Sequence, residues 1–193
     1  MQFSNDPGRD LRRTFRGPYR RRPRVSSLLA WLRSELQALY GPEAGVGGTV
    51  AAPLLTALGI CAGLELLAKY WSGCPDIKGA VVEEFLTRVA GLSQPEAEAL
   101  MQFRHSLAHG YALGARRRQD KRLFSFAIDT DHTMGAAVVV SRGSNEYTVN
   151  LWSLKQFFLA AVGRCRKAIA CDPSRLGGFQ VCLQNLGEIG VRP

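Results

Sequence analysis

Side chains suited to chemistry are concentrated in the segment FRHSLAHGYAL, residues 103–113. Arg104, His105, His109 and Tyr111 lie within it, although the chain of 193 residues has only three histidines. An imidazole can bind a metal ion or move a proton near neutral pH, and a guanidinium can neutralise a phosphate. The segment could therefore serve a metal site, a nucleophilic centre or phosphodiester chemistry.

A zinc site and a serine nucleophile both fit the segment poorly. His105 and His109 are four residues apart and share a helical face, as metal ligands do. The peptidase motif H-E-x-x-H, however, needs glutamate directly after the first histidine, and that position is Ser106. Ser106 also lacks the G-x-S-x-G elbow of a serine nucleophile. We therefore expect no metal and no other cofactor.

Metal-independent cleavage of RNA needs a base near the 2′-hydroxyl and a cation near the phosphate, and a histidine and an arginine can supply them. Arg104 and His109 lie about 140° apart on an ideal helix. They would meet one substrate only through the reach of the arginine, a helix break at Gly110 or pairing with a second subunit. Tyr111, nearly on the face of Arg104, offers a phenol that could position substrate.

The cluster belongs to the fourth of five helices that the hydrophobic pattern predicts. Ser93, Pro95 and Glu96 provide a cap, a first-turn proline and a first-turn acid for its start. The other helices are predicted from about Val25 to Gly41-Pro42, Pro53 to Tyr70, Ile77 to Ala90 and Leu151 to about Ile169.

Three short β-branched or aromatic runs, LFSFAID, AAVVVSR and NEYTVN, predict a small antiparallel meander at about residues 122–150. The predicted fold is thus mainly α, an up-and-down helical bundle with a small antiparallel β insert before its last helix. The bundle should span residues 25–171. An Arg-rich flexible arm at residues 1–24 and an irregular tail at residues 172–193 should flank it.

The motif Arg104-His105-x-x-x-His109-x-Tyr111 resembles the R-x4-6-H signature of the HEPN superfamily (higher eukaryotes and prokaryotes nucleotide-binding domains). The form R-x4-H-x-Y is similar to that of HEPN toxins paired with nucleotidyltransferase antitoxins. The resemblance implies an all-α bundle that acts as a metal-independent RNase, typically as a homodimer. It also implies that Arg104 stabilises the phosphate, His109 is the general base and His105 orients them, while Tyr111 contacts substrate or is a modification target.

The charge of the chain is consistent with an RNA partner. The formal net charge is +9, and six of these charges lie in the Arg-rich residues 1–24. A second basic run follows the motif directly and could track an RNA backbone with salt-dependent affinity. Its members are Arg116, Arg117, Arg118, Lys121 and Arg122.

Cysteine usage and hydropathy favour a cytoplasmic protein that does not enter the membrane. The five cysteines include no C-x-x-C pair, and no apolar signal segment precedes them, so reduced thiols are expected. The uncharged residues 45–64 could cross a bilayer by length. They are Gly-rich at the start, interrupted by Pro53 and followed by Glu65 and Lys69, which favours a buried helix.

These features predict a metal-independent endoribonuclease of HEPN type that cleaves RNA through attack of the 2′-hydroxyl. It would act as a toxin or a phage-defence effector, with an antitoxin or nucleotidyltransferase as a further partner. The alternative is a catalytically inactive HEPN-like module that binds RNA, a nucleotide or a protein.

Overall fold

The structure is a computed structural model that describes residues 6–15, 25–39, 50, 52–110, 112–117, 120–131, 137–186 and 188–190. This part of the chain is mainly helical and contains one small mixed sheet. The helices are α1 (Pro7–Thr14), α2 (Leu28–Leu39), α3 (Pro53–Ser72), α4 (Gly79–Arg88), α5 (Gln94–Gly110), α6 (Leu151–Ala170) and α7 (Pro173–Leu186). The strands are β1 (Val25–Ser27), β2 (Gly114–Arg116), β3 (Leu123–Asp129), β4 (Val139–Ser141), β5 (Glu146–Asn150) and β6 (Glu188–Gly190).

Helix α3 is the central core helix, and α2, α4, α5, α6 and α7 all pack against it. Pro53 lies in its first turn, and Gly73 ends it with φ of 72° while its N–H donates to the Lys69 carbonyl. Among the described residues, α3 alone is long and apolar enough to cross a bilayer, and 56% of its apolar window is buried inside the protein. This burial agrees with the expected core helix.

The start of α5 follows the sequence prediction closely. Ser93 donates to the Glu96 carboxylate through both its backbone N–H, at 2.9 Å, and its hydroxyl, at 2.6 Å. The Glu96 carboxylate thus satisfies the Ser93 N–H, which is one half of a capping box, while the Ser93 hydroxyl donates to the same oxygen. Helix α6 begins in a comparable way, because the Asn150 side chain accepts from the Ser153 N–H at 2.9 Å. The residues predicted to start α5 therefore contact each other at its first turn, whereas the Asn150 cap of α6 was not predicted.

The four-stranded sheet differs from the predicted antiparallel meander. Its strand order is β2-β3-β5-β4, and β3 pairs with β5 in parallel. The hairpin of β4 and β5 places β5 against β3, and the basic connector contributes β2 at the other edge. The prediction of a purely antiparallel insert was therefore wrong, because turn residues mark where strands end and not which strands pair.

Both chain ends contribute to the core, which corrects two sequence predictions. In α1, Leu11 is buried, and the neighbouring Phe15 packs 6.1 Å from the rings of both Tyr70 and Phe179. Residues 7–15 are therefore not a flexible arm, while residues 1–5 and 16–24 lie outside the described residues. Residues 173–186 form α7 instead of an irregular tail, and β6 pairs with β1.

Helices α1 and α7 could not be predicted from the sequence, for physical reasons. Leu11 of α1 and the following Phe15 are surrounded by arginines in the sequence, so this short apolar stripe is hard to distinguish from a solvated arm. Helix α7 contains Gly177 and Gly178, which weaken intrinsic helix propensity. Gly178 instead lets α7 approach α3, because a Cβ on Gly178 would lie 2.9 Å from the Gly73 Cα.

Candidate functional site

One face of α5 forms the floor of an open groove with a volume of about 910 Å³. Helix α4 supplies one wall with Gly79, Ala80 and Glu83, and Arg116 and Arg117 supply another. The floor residues recur at helical spacing, so they form one continuous stripe. They are Gln94, Glu98, Met101, Gln102, His105 and His109.

His105 and His109 lie side by side near the C-terminal end of the groove. Their ring centroids are 4.5 Å apart, with an interplanar angle of 54°. Helix α5 is continuous through both residues and ends at Gly110, so no break before His109 turns it toward the face of Arg104. Both side chains are exposed and line the groove, where a ligand can reach them.

Arg104 lines the same groove at its edge next to α3. Its guanidinium donates to Oε2 of Glu65, and the other carboxylate oxygen of Glu65 lies 3.5 Å from Nζ of Lys69. The Arg104 and Glu65 side chains are only 31% and 25% exposed. The ion pair therefore fixes the direction of Arg104. Arg104 also lines a second groove of about 630 Å³ together with Glu65 and Lys69, so it lies between that groove and the groove of the histidines.

Sequence reasoning missed Glu65 as the partner of Arg104, and Lys69 as the cation beside Glu65. The usable signal was their spacing of four residues in a helix that carries no charge from Pro53 to Leu64. Charged groups in such a helix need partners, because leaving a charge half-buried and unpaired is costly. The partner of Glu65 is 39 residues away in sequence, so no local pattern could identify it.

Arg117 is held by carboxylates of its own chain. It donates to Glu98 on α5 and forms two bonds to Asp120, with Nε at 2.9 Å from Oδ1. The hydrogen bond with Arg117 holds the pKa of Asp120 well below its usual range. Arg117 therefore links the β2–β3 connection to α5, which differs from the expected contact with RNA phosphate.

The other basic candidates divide between structural and exposed positions. Arg122 stacks over Phe124 at 4.9 Å and donates to the Ser144 carbonyl at 3.1 Å, so it stabilises the sheet. Lys121 is exposed but does not line the groove, whereas Arg116 is exposed and does. Tyr111 and Arg118 lie outside the described residues.

The two alternative chemistries gain no support from the geometry. Ser106 is buried, and its hydroxyl donates to the Phe103 carbonyl at 2.7 Å, so it points into its own helix. Within the described ranges, no three His, Cys, Asp or Glu side chains come together as a metal site would require. His132, the third histidine of the chain, lies outside those ranges.

Comparisons with protein-family models, curated proteins and solved structures found no match to this chain. The function proposed below therefore rests on the residues of the groove.

Proposed function

We propose that the protein is a metal-independent endoribonuclease of HEPN type whose active site is the groove on α5. The observation that carries this proposal is that Arg104, His105 and His109 line one open groove, with Arg104 directed by Glu65. The position of the motif toward the end of α5, ahead of the further helix α6, supports the resemblance to a HEPN domain, whereas the intervening sheet is an addition to the smallest HEPN toxins.

In the proposed reaction, the imidazole of His109 accepts the proton of a ribose 2′-hydroxyl. The 2′-oxygen attacks the adjacent phosphorus, and the bond from phosphorus to the 5′-oxygen breaks. The products are a 2′,3′-cyclic phosphate and, once the leaving oxygen takes a proton from water, a 5′-hydroxyl. Arg104 stabilises the charge that develops on the phosphoryl oxygens, and the neighbouring ring of His105 orients the reacting groups.

RNA binding would draw on the exposed cations around the groove. Arg116 is exposed at its wall and has no ion pair with a described residue, so its charge is available to a phosphate. The formal net charge of +9 adds long-range attraction. We further propose a homodimer in the cytoplasm that acts as a toxin or defence effector with an antitoxin or nucleotidyltransferase partner.

The second candidate is a catalytically inactive module that binds RNA, a nucleotide or a protein. It is favoured by the ion pairs of Arg104 with Glu65 and of Arg117 with Glu98, which neutralise two of the three groove arginines. A groove whose cations are engaged in this way could bind a ligand without stabilising a transition state.

The two candidates separate when purified protein is incubated with mixed cellular RNA in excess EDTA. The parent should produce fragments, whereas His109→Ala and Arg104→Ala should not. Arg166→Ala is the charge control, because Arg166 is exposed on α6 away from the groove. Intact RNA with the parent, or equal cleavage by His109→Ala, would contradict the ribonuclease proposal. Thermal unfolding of each variant checks that its fold is retained.

A further inference from the structure

The groove has two chemically different ends. His105 and His109 lie toward the C-terminus of α5, whereas Gln94 lies at its first residue. Gln94 is ten residues before Arg104, which corresponds to about 15 Å along the helix axis. An RNA strand whose phosphate contacts Arg104 could therefore reach the Gln94 end with a neighbouring nucleotide.

Glu83 of α4 supplies hydrogen-bond acceptors at the Gln94 end of the groove. Its Oε1 accepts a hydrogen bond from the side-chain amide of Gln94, and no described residue donates to its Oε2. The other carboxylates nearby are neutralised, because Glu98 pairs with Arg117 and Glu84 pairs with Arg88 at 2.8 Å. Glu83 thus lines the groove as a carboxylate with a free acceptor oxygen and an orienting amide.

A small apolar surface adjoins Glu83. Gly79 and Ala80 precede it on α4, and the methyl of Met101 lies 3.6 Å from where a Cβ on Gly79 would be. Because Gly79 and Ala80 carry nothing larger than a methyl group, a flat ring can lie on this part of the wall. A thioether such as that of Met101 makes favourable contacts with aromatic rings.

We infer that the Glu83–Gln94 end of the groove binds a guanine base of the RNA strand. This inference rests on the proposed function, since it supplies the base preference of the same site. Guanine presents two adjacent donors, N1–H and N2–H, which match Oε2 of Glu83 and the second lone pair of Oε1 beside the Gln94 amide. Uracil, cytosine and adenine place an acceptor next to their donor, which a carboxylate repels. RNA-binding proteins commonly recognise unstacked bases on this edge.

The charge distribution also orients the strand. A phosphate at the Glu83 end would meet a carboxylate, whereas one at the other end meets Arg104. The phosphate backbone of the RNA is therefore held at the Arg104 end of the groove, and a base occupies the Glu83–Gln94 end. Glu83 and Gln94 act as specificity residues that lie apart from the reacting groups.

The test uses U-rich RNA octamers that are 2′-O-methylated throughout, so that cleavage cannot occur. One octamer carries a central guanosine, and in its partner this is inosine, which lacks the N2 amine. Fluorescence anisotropy gives Kd for the parent, for Glu83→Gln and for the control Glu84→Gln on the same helix. Inosine cannot form the N2–H hydrogen bond to the carboxylate. We therefore expect the parent and Glu84→Gln to bind the guanosine octamer about tenfold more tightly than the inosine octamer.

In Glu83→Gln the two octamers should bind almost equally, and Gln94→Leu should reduce the preference as well. Equal binding of guanosine and inosine by the parent would overturn the guanine site while leaving the cleavage proposal intact. A preference that survives in Glu83→Gln would overturn the assignment to this residue. No binding of either octamer would overturn both the site and the groove as an RNA surface.

Discussion

Arg104 can assist at a phosphate only if its guanidinium stays in position, and at the residue scale Glu65 provides that restraint. The ion pair spans α5 and α3, and Lys69 balances the second oxygen of Glu65 at 3.5 Å. Arg104 keeps its remaining N–H donors for a ligand, because a guanidinium carries five. The carboxylate therefore positions the arginine without consuming its capacity.

We predict that Glu65→Gln lowers the rate of RNA cleavage by about 10- to 100-fold, because a misplaced catalytic group loses most of its effect. The free energy of unfolding should fall by only about 1 kcal/mol, since the pair is partly exposed. Single-turnover cleavage and urea unfolding measure the two quantities. Glu84→Gln removes an exposed helix pair with Arg88 and should change neither quantity appreciably. An unchanged cleavage rate in Glu65→Gln would contradict the positioning role.

Arg116 and Arg117 are adjacent in sequence, but we expect Arg116 to act in RNA binding and Arg117 in stability. Arg116→Ala is expected to weaken RNA binding and to reduce the slope of log K against log salt by about one, because one phosphate contact is lost. Arg117→Ala should mainly lower Tm, since it leaves Glu98 and Asp120 without their partner. Titrations of RNA at several salt concentrations distinguish these outcomes, and Arg166→Ala serves as the surface control. Equal salt slopes for Arg116→Ala and the parent would argue against an Arg116 phosphate contact.

At the scale of elements, the sequence specifies α5 better than it specifies the groove. The capping residues Ser93 and Glu96 and the spacing of His105 and His109 predict the helix and a shared face. The partner helix α3 and the walls from α4 and β2 arise from contacts between distant parts of the chain. Local patterns could therefore predict the site's histidines but not the carboxylate that holds Arg104.

The close approach of α3 and α7 gives a sharp test of their packing. Gly178→Ala would place a Cβ 2.9 Å from the backbone of Gly73, so the helices must separate. We predict a loss of about 1–3 kcal/mol in the free energy of unfolding. Gly177→Ala is the matched control, because its Cβ would meet nothing within 4 Å, and it should stabilise the helix by about 0.5–1 kcal/mol. Similar effects at both positions in urea unfolding would contradict this packing.

At the scale of the whole molecule, the core extends from Leu11 in α1 to Leu183 in α7. The long helices and β3 were predictable because each repeats an apolar pattern over many residues. Helices α1 and α7 were not, because tertiary contacts compensate for their short or glycine-containing patterns. The parallel pairing of β3 with β5 could not be predicted from local sequence either, since it depends on which strands become neighbours in the folded protein.

Thiol labelling tests this extended core. Burial raises the pKa of Cys61 to about 12 and that of Cys182 to about 11, and it raises the pKa of Cys165 as well. These thiols are protonated and shielded at pH 8, whereas Cys74 and Cys171 are exposed. We expect iodoacetamide to modify two cysteines in the native protein and five after unfolding, as counted by mass spectrometry. Rapid native labelling of Cys182 would contradict the packing of α7.

The most direct test of the central claim is the chemistry of the cleaved ends. Purified protein should cleave RNA in ¹⁸O-labelled water containing excess EDTA, and mass spectrometry should identify the new termini. Attack by the 2′-hydroxyl predicts a 5′-hydroxyl without ¹⁸O on the downstream fragment and a 2′,3′-cyclic phosphate on the upstream one. Both products should be lost in His109→Ala and kept in Arg166→Ala. A 5′-phosphate carrying ¹⁸O, or no cleavage by the parent, would contradict the account.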